Sequence, residues 1–292
     1  MKHAYLIMAH NNMDILMKIV KLLDYKDNDI YIHVDKKCYD FNEKKISNYV
    51  KKSNIYFVKR LDVRWSCYSQ IKCELELFKE ASKMHYKYYH LISGADIPIK
   101  NQQEIHSFFN RYNKEFIHFR DHSSLGSRLD RIDYYHLFFK NARSTSKFKQ
   151  KVSRKLHSIC LKFQLKFGIH RVKKDCIENY RDGANWCSIT HDLVEYIILN
   201  EKKIQKEYKY TYCADEIFLQ SLVYNSKFYK SLYSYKNDDY KGIKRLIDWN
   251  RGQPYSFTKS DYKEIINSDA FFVRKVTDRE LVDMIYNKLM NK

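Results

Sequence analysis

The chain predicts an α/β fold with a mainly parallel central sheet flanked by helices. Three observations carry that expectation. Apolar runs of strand length alternate with amphipathic segments of helix length through the first hundred residues. One of those runs, the aromatic and aliphatic stretch that opens YYHLISGADIPI (88–99), reads as a buried strand. With 6 glycines and 2 prolines among 292 residues the chain has no linker composition, so residues 1–292 read as one domain.

The first element is the apolar strand HAYLIMAH (3–10). Residues 14–23 follow as a helix, with apolar residues at 15, 16, 19, 20 and 23 on one face. IYIHVD (30–35) and residues 54–58 are the second and third strands. Ser69 is placed to cap a helix whose Ile71, Leu75 and Phe78 share a face. The segment YYHLISGADIPI (88–99) is a fourth strand and its exit. Gly94 permits a turn or a close approach, and Pro98 ends the strand. Asp96 then stands at the carboxyl end of a central strand, where open α/β sheets bind ligands. The competing reading is a turn aspartate that bonds its own backbone. Beyond a short apolar run, CSIT, helices are expected near 193–199, 216–224 and 261–266, and from Asp278 onward.

The net charge of +19 favours anionic partners: nucleic acid, a membrane surface or a phosphorylated small molecule. Residues 134–174 hold 12 Lys and Arg and no acid. Within them Phe148, Val152, Leu156, Ile159, Phe163 and Phe167 recur at helical spacing, and Gly168 suits a helix end. Two readings stand side by side. One is a basic amphipathic helix lying on an anionic membrane; the other is a surface helix whose stripe packs on the core. No apolar run reaches the roughly 20 residues of a membrane span. Met1-Lys2-His3 leads straight into a strand, giving the expectation of no signal peptide. The 7 cysteines are scattered without a CxxC pair, which suits reduced thiols in the cytoplasm rather than disulfides or a zinc site.

The alternation suits a nucleotide-binding half-domain, yet neither GxGxxG nor GxxxxGK[ST] is present, and Ala9-His10-Asn11 follows the first strand instead. Asp215-Glu216 opens a helical run. Acids in a first turn complement the helix dipole, and a carboxylate there facing a cleft also serves as a general base. Asn185-Trp186 pairs an amide with a flat ring suited to a sugar, although Trp186, like Trp65, also suits a core anchor. Arg245 and the pair Arg274-Lys275 suit phosphate, by bidentate contact and point charge respectively, or plain solvated surface.

Together these pieces carry a family resemblance. AYLIMAHN (4–11), IYIHVD (30–35), VRWSCYSQIKCELELFKEA (63–81), HLISGADIPI (90–99), GANWCSIT (183–190), ADEIFLQSLVYNS (214–226), RLIDW (245–249) and SDAFFVRK (268–275) occur in order along nearly the whole chain. The chain thereby resembles the core-2/I-branching glycosyltransferases, with the peptide xylosyltransferases of the same family. That resemblance implies a GT-A type fold. Residues from about 1 to 130 would bind the nucleotide-sugar, 131–180 would form a basic helical insertion, and 181–292 would bind acceptor and diphosphate. It implies an inverting transfer from a UDP-sugar, mostly UDP-N-acetylglucosamine, to a hydroxyl of a glycan or lipid-linked acceptor. No metal and no other cofactor is expected.

The resemblance places the catalytic base at Glu216 and the diphosphate on Arg245 and Lys275, with Arg274 assisting. His10 and Asp35 line the nucleotide site with Trp65 nearby, Asp96 faces the donor sugar, and Asn185, Trp186 and Asp215 lie at the reacting centre or acceptor. Asp27-Asn28-Asp29 spells a DxD but precedes the second strand, and reads as a turn. In the xylosyltransferase branch an Asp stands where this chain has Asn185, so N-acetylglucosamine is the expected sugar and xylose the alternative. The animal members carry an anchor and disulfides. The expectation here is a prokaryote-like, cytoplasmic enzyme, with the 134–174 segment touching the membrane face and no nucleic-acid partner. A non-catalytic basic protein that binds membranes or nucleic acid is the alternative from another class.

Overall fold

The computed structural model describes residues 1–291. The chain runs β1 (His3–Ala9), α1 (Met13–Leu23), β2 (Asn28–Val34), α2 (Glu43–Ser47), β3 (Asn54–Phe57), α3 (Ser69–Ala81), β4 (Tyr88–Ser93), β5 (Ile97–Pro98), α4 (Gln102–Phe109), α5 (Asp130–Asp133), α6 (Lys147–Lys166), β6 (Ser188–Ile189), α7 (His191–Leu199), α8 (Glu201–Tyr208), α9 (Phe218–Tyr224), β7 (Arg245–Ile247), α10 (Tyr262–Asn267), β8 (Phe272–Arg274) and α11 (Arg279–Met290).

The main sheet has the order β3-β2-β1-β4-β6. Its first four strands are parallel and β6 is antiparallel. This is the expected α/β class with a mainly parallel sheet. A second sheet, β5-β8-β7, stands beside it and receives the chain directly from the end of β4. Side chains of β1 divide by parity, as a pleated strand requires. Ala4 and Leu6 join one apolar layer with α3 and α7, while Tyr5, Ile7 and Ala9 join another with α1 and α11. Both faces are therefore covered, which explains the uninterrupted apolar run.

Local chemistry adjusts several expected elements. Ser69 is the first residue of α3 rather than its cap, because its hydroxyl accepts from the Arg64 backbone N–H at 2.7 Å. Of the DxD, only Asp27 precedes β2; Asn28 and Asp29 are its first two residues. Asp29 is buried and receives Tyr86 Oη at 2.6 Å and Asn54 Nδ2 at 2.9 Å. It lies at the amino end of the strand, opposite the ligand-binding edge. Helices α4 and α8 were not anticipated. The capping box of Asn101 with Glu104 starts α4.

The basic helix α6 forms as its periodicity predicts, and Gly168 closes it with φ of +61°. Its stripe does not pack on the core: Phe148, Val152, Leu156, Ile159, Phe163 and Phe167 are all exposed. The core-packing reading of that helix is thus overturned. Among the described residues all 7 cysteines are free, and no helix is long and apolar enough to cross a membrane.

Candidate active site

Two clusters meet along the segment from Asp182 to Trp186. The first surrounds Glu216, the last residue of a single 3-10 turn, Ala214–Glu216, that leads into α9. Glu216 Oε2 receives Arg131 Nη1 at 2.8 Å and Arg120 Nη1 at 3.2 Å. Asp182 binds the other side, accepting from Arg120 Nη1 at 2.9 Å and Arg128 Nε at 2.6 Å. Five charges are thus locked in one network, and Glu216 keeps a side-chain exposure of 25%. Both guanidinium contacts fall on Oε2, so Oε1 has no hydrogen-bond partner among the described residues.

The turn is held from behind. Gly183 N–H donates to Glu216 O at 2.9 Å. A Cβ on Gly183 would stand 1.9 Å from His118 O, so only glycine fits. Ahead of the turn, Cys213 sits at φ of 47° and donates its backbone N–H to the carbonyl of Ser66, itself at φ of 63°. Two non-glycine residues in the left-handed region cost about 1–2 kcal/mol each, and such conformations persist where surrounding structure enforces them.

Asp215 and Asn185 point inward, which corrects their expected contact with the acceptor. Asp215 accepts from Gln70 Nε2 at 2.9 Å, and burial, then the neighbouring Glu216 charge, push its carboxyl up to about 7. Asn185 Nδ2 donates to Glu74 Oε1 at 3.2 Å. Glu74 is fully buried, its Oε2 has no partner, and desolvation followed by the charge of Asp215 raises its carboxyl well above the ordinary range. These groups form a polar floor beneath Glu216 rather than a sugar-contacting surface.

The second cluster lies where β1, β2 and β8 end. Arg274 Nη1 donates to Asp96 Oδ1 at 2.7 Å and to Ser93 Oγ at 2.6 Å, and its guanidinium carbon lies 4.2 Å over the Trp186 ring. Lys275 is half-buried, and no carboxylate pairs with its ammonium among the described residues. The His10 ring is held below its ordinary value, by desolvation first and next by the charge of Lys275. Asp35 also acts on that ring, and its own oxygens accept from the backbone and ammonium of Lys37 at 2.8 Å each. The structure therefore brings His10, Asp35, Arg274 and Lys275 together. From Gly183 to Trp186 the chain spans at most about 11 Å, so the two clusters flank one region.

Four further expectations change. Arg245 does not reach a diphosphate: it is 1% exposed, with Nη2 donating to Cys187 O at 2.8 Å and Ser188 Oγ at 3.2 Å, and Nη1 to Ile243 O at 3.1 Å. Asp96 is fully buried and does not face a donor sugar. Its oxygens accept from Ser93 N, Ser93 Oγ and Arg274, making it a turn aspartate that also orients Arg274. Trp186 is buried with its face covered by Arg274, so it stacks on a cation instead of a sugar. Trp65 groups with the Glu216 side, since Arg143 lies 3.1 Å over its ring and Tyr212 meets its edge.

Sequence reasoning missed Arg120, Arg131, Asp182 and Glu74. Only Glu74 left a legible mark: an acid three residues after Ile71, on the apolar face of α3. Among the described residues no three His, Cys, Asp or Glu side chains gather where they could hold a metal ion.

The family model described as Core-2/I-Branching enzyme matches residues 3–271. Xylosyltransferase 2 of Rattus norvegicus is 22% identical over 303 residues, covering 93% of this chain and 31% of that protein. Xylosyltransferase 1 of Homo sapiens is 22% identical over 307 residues, covering 97% and 30% respectively. The chain spans about a third of the length of these curated relatives. Among solved structures, apo mouse xyloside xylosyltransferase 1 aligns over 94% of this chain and 97% of its own, at 8% identity and a TM-score of 0.37. With nearly its whole length matched by the family model, the chain belongs to the Core-2/I-Branching enzyme family.

Proposed function

We propose that this chain is an inverting glycosyltransferase that moves a sugar, N-acetylglucosamine first among candidates, from its UDP-linked donor to a hydroxyl of a glycan acceptor. The observation that carries the reading is a pair of unfinished groups, one in each cluster: Glu216 with Oε1 unoccupied, and Lys275 with an unpaired ammonium. Glu216 Oε1 takes the proton of the acceptor hydroxyl as its oxygen attacks the anomeric carbon. The bond from that carbon to the diphosphate oxygen breaks, and its electron pair leaves with UDP. Lys275 and the unused nitrogens of Arg274 meet the charge that develops there. Arg120 and Arg131 fix the orientation of Glu216, and Asp96 with Trp186 fixes that of Arg274. The reading includes turnover without a divalent ion, because two cations already serve the diphosphate.

Glu216→Gln is expected to lower transfer by about 10²–10⁴-fold while the rise in melting temperature caused by UDP persists. Lys275→Ala is expected to diminish that UDP-induced rise itself. Retained turnover in the first variant would remove Glu216 as base. EDTA is expected to leave turnover unchanged, and loss restored by manganese would overturn the metal-free part. A parallel assay with UDP-xylose separates the two donors, since both curated relatives described above are named xylosyltransferases.

A further inference from the structure

Helix α6 is built inside out. The residues that attach it to the body, Ser153, Arg154, His157 and Gln164, are polar or titratable. Ser153 Oγ donates to Phe138 O, and Gln164 grips the backbone of Tyr135 at both N–H (2.7 Å) and carbonyl (3.0 Å). The His157 ring stacks on His136 at 5.1 Å and meets Phe139 edge-on at 4.9 Å. In α6 only Ser153 and Gln164 are buried. The apolar positions 148, 152, 156, 159 and 163, continued by 167, form a separate face turned outward, with Phe148 76% and Phe163 55% exposed. An ordinary surface helix does the reverse and buries its apolar stripe.

The charge on the helix identifies what covers that face. Lys147, Lys149, Lys151, Arg154, Lys155, Lys162 and Lys166 are all exposed, and α6 contains no acid. A second copy would bring the same seven cations against these seven, which opposes pairing through this face. Duplex nucleic acid satisfies the cations and leaves the aromatic centre of the face in water. An anionic bilayer satisfies both: headgroups take the ammonium and guanidinium groups while the interface takes the rings. We propose that α6 is an interfacial anchor that lays its 148–167 face on an anionic membrane surface. This docking stands independently of the transfer reaction. Its mounting connects through rings toward the Glu216 turn, with Phe139 meeting Tyr212 at 4.6 Å and Tyr212 meeting Trp65 at 5.8 Å.

The test is co-sedimentation of the whole chain with phosphatidylcholine vesicles, with and without about a quarter of phosphatidylglycerol. Binding is expected to be at least about tenfold stronger to the anionic vesicles and to weaken as salt approaches about 0.5 M. The double variant Phe148→Ser, Phe163→Ser is expected to lose about tenfold in binding with an unchanged melting temperature, since both rings are exposed. Equal binding to neutral vesicles, undiminished binding of the folded variant, or no sedimentation overturns the proposal. So does a concentration-dependent dimer that the variant abolishes, which would make a second copy the occupant. Preference for duplex DNA over anionic vesicles in direct competition overturns it as well.

Discussion

At position 245 a guanidinium lies wholly enclosed between the two sheets, in contact with Ile243 O, Cys187 O and Ser188 Oγ. Burial lowers it to about 10, so it remains charged at neutral pH. Arg245→Met would leave the Ile243 carbonyl without its donor and take one partner each from Cys187 O and Ser188 Oγ, which keep Leu91 N–H and the His90 ring, and an expected loss of about 3 kcal/mol is measurable by urea unfolding. The isolated letter R on a chain of +19 carries no sign of such enclosure, because burial depends on which strand lies opposite. Asp96 was half legible. Its place at the end of β4 follows from the apolar run, but its partner Arg274 is 178 residues distant. Asp96→Asn is expected to release Arg274 and weaken UDP binding by about tenfold, roughly the strength of one charge-assisted hydrogen bond. Isothermal titration with UDP reads that change, and an unchanged affinity would leave Asp96 a purely structural turn residue.

Among the elements, the strands were legible because each is an apolar run ended by a polar residue, and the sheet that follows needs only the alternation with helices. The short β8 illustrates the other case. Its three residues pair with β5 and β7 and thereby present Arg274 and the following Lys275 beside β1. No periodicity in so short a run reveals that placement. The segment from Asp182 to Trp186 is similar, since its course depends on the packing of Gly183 against His118. Gly183→Ala forces that contact apart and shifts the segment that carries Trp186 and holds the Glu216 carbonyl through Gly183 N–H. The expected result is a loss of about 1–3 kcal/mol in stability, accompanied by reduced turnover. Chemical denaturation and the transferase assay check the two effects separately.

For the molecule as a whole, titration of buried groups sets a pH limit. His3, His33, His90, His106 and His118 are buried, and desolvation holds each below its ordinary value, to about 4 for His33 and His106 and about 3 for His118. The unfolded chain takes protons on these rings near pH 6.5 while the folded chain does not. Their contribution is complete above that value and is lost as pH falls toward about 4. Glu115 and Asp215, both raised to about 7 by burial, act oppositely and remove stability as pH rises from about 4 to 7. Glu74, raised by burial as well, acts with them, and five histidines against three carboxyls favour a net loss on acidification. The urea midpoint is therefore expected to be lower at about pH 5 than at about pH 7.5, and a higher midpoint at pH 5 would show the carboxyls to dominate. Fold class was readable at this scale from order and spacing. The histidine network was not, because His3, His90 and His106 are brought into ring contact only by the folded sheet.

The guanidinium of Arg274 over Trp186 has an optical consequence. The chain has 3 tryptophans, and this one is buried with a cation 4.2 Å above its face. Indole emission responds to charge held over the ring. A diphosphate that draws Arg274 toward itself changes that charge, so intrinsic fluorescence becomes a label-free gauge of donor occupancy. Trp65→Phe and Trp249→Phe would strip away the background and leave Trp186 as the sole reporter of the proposed diphosphate site at Arg274.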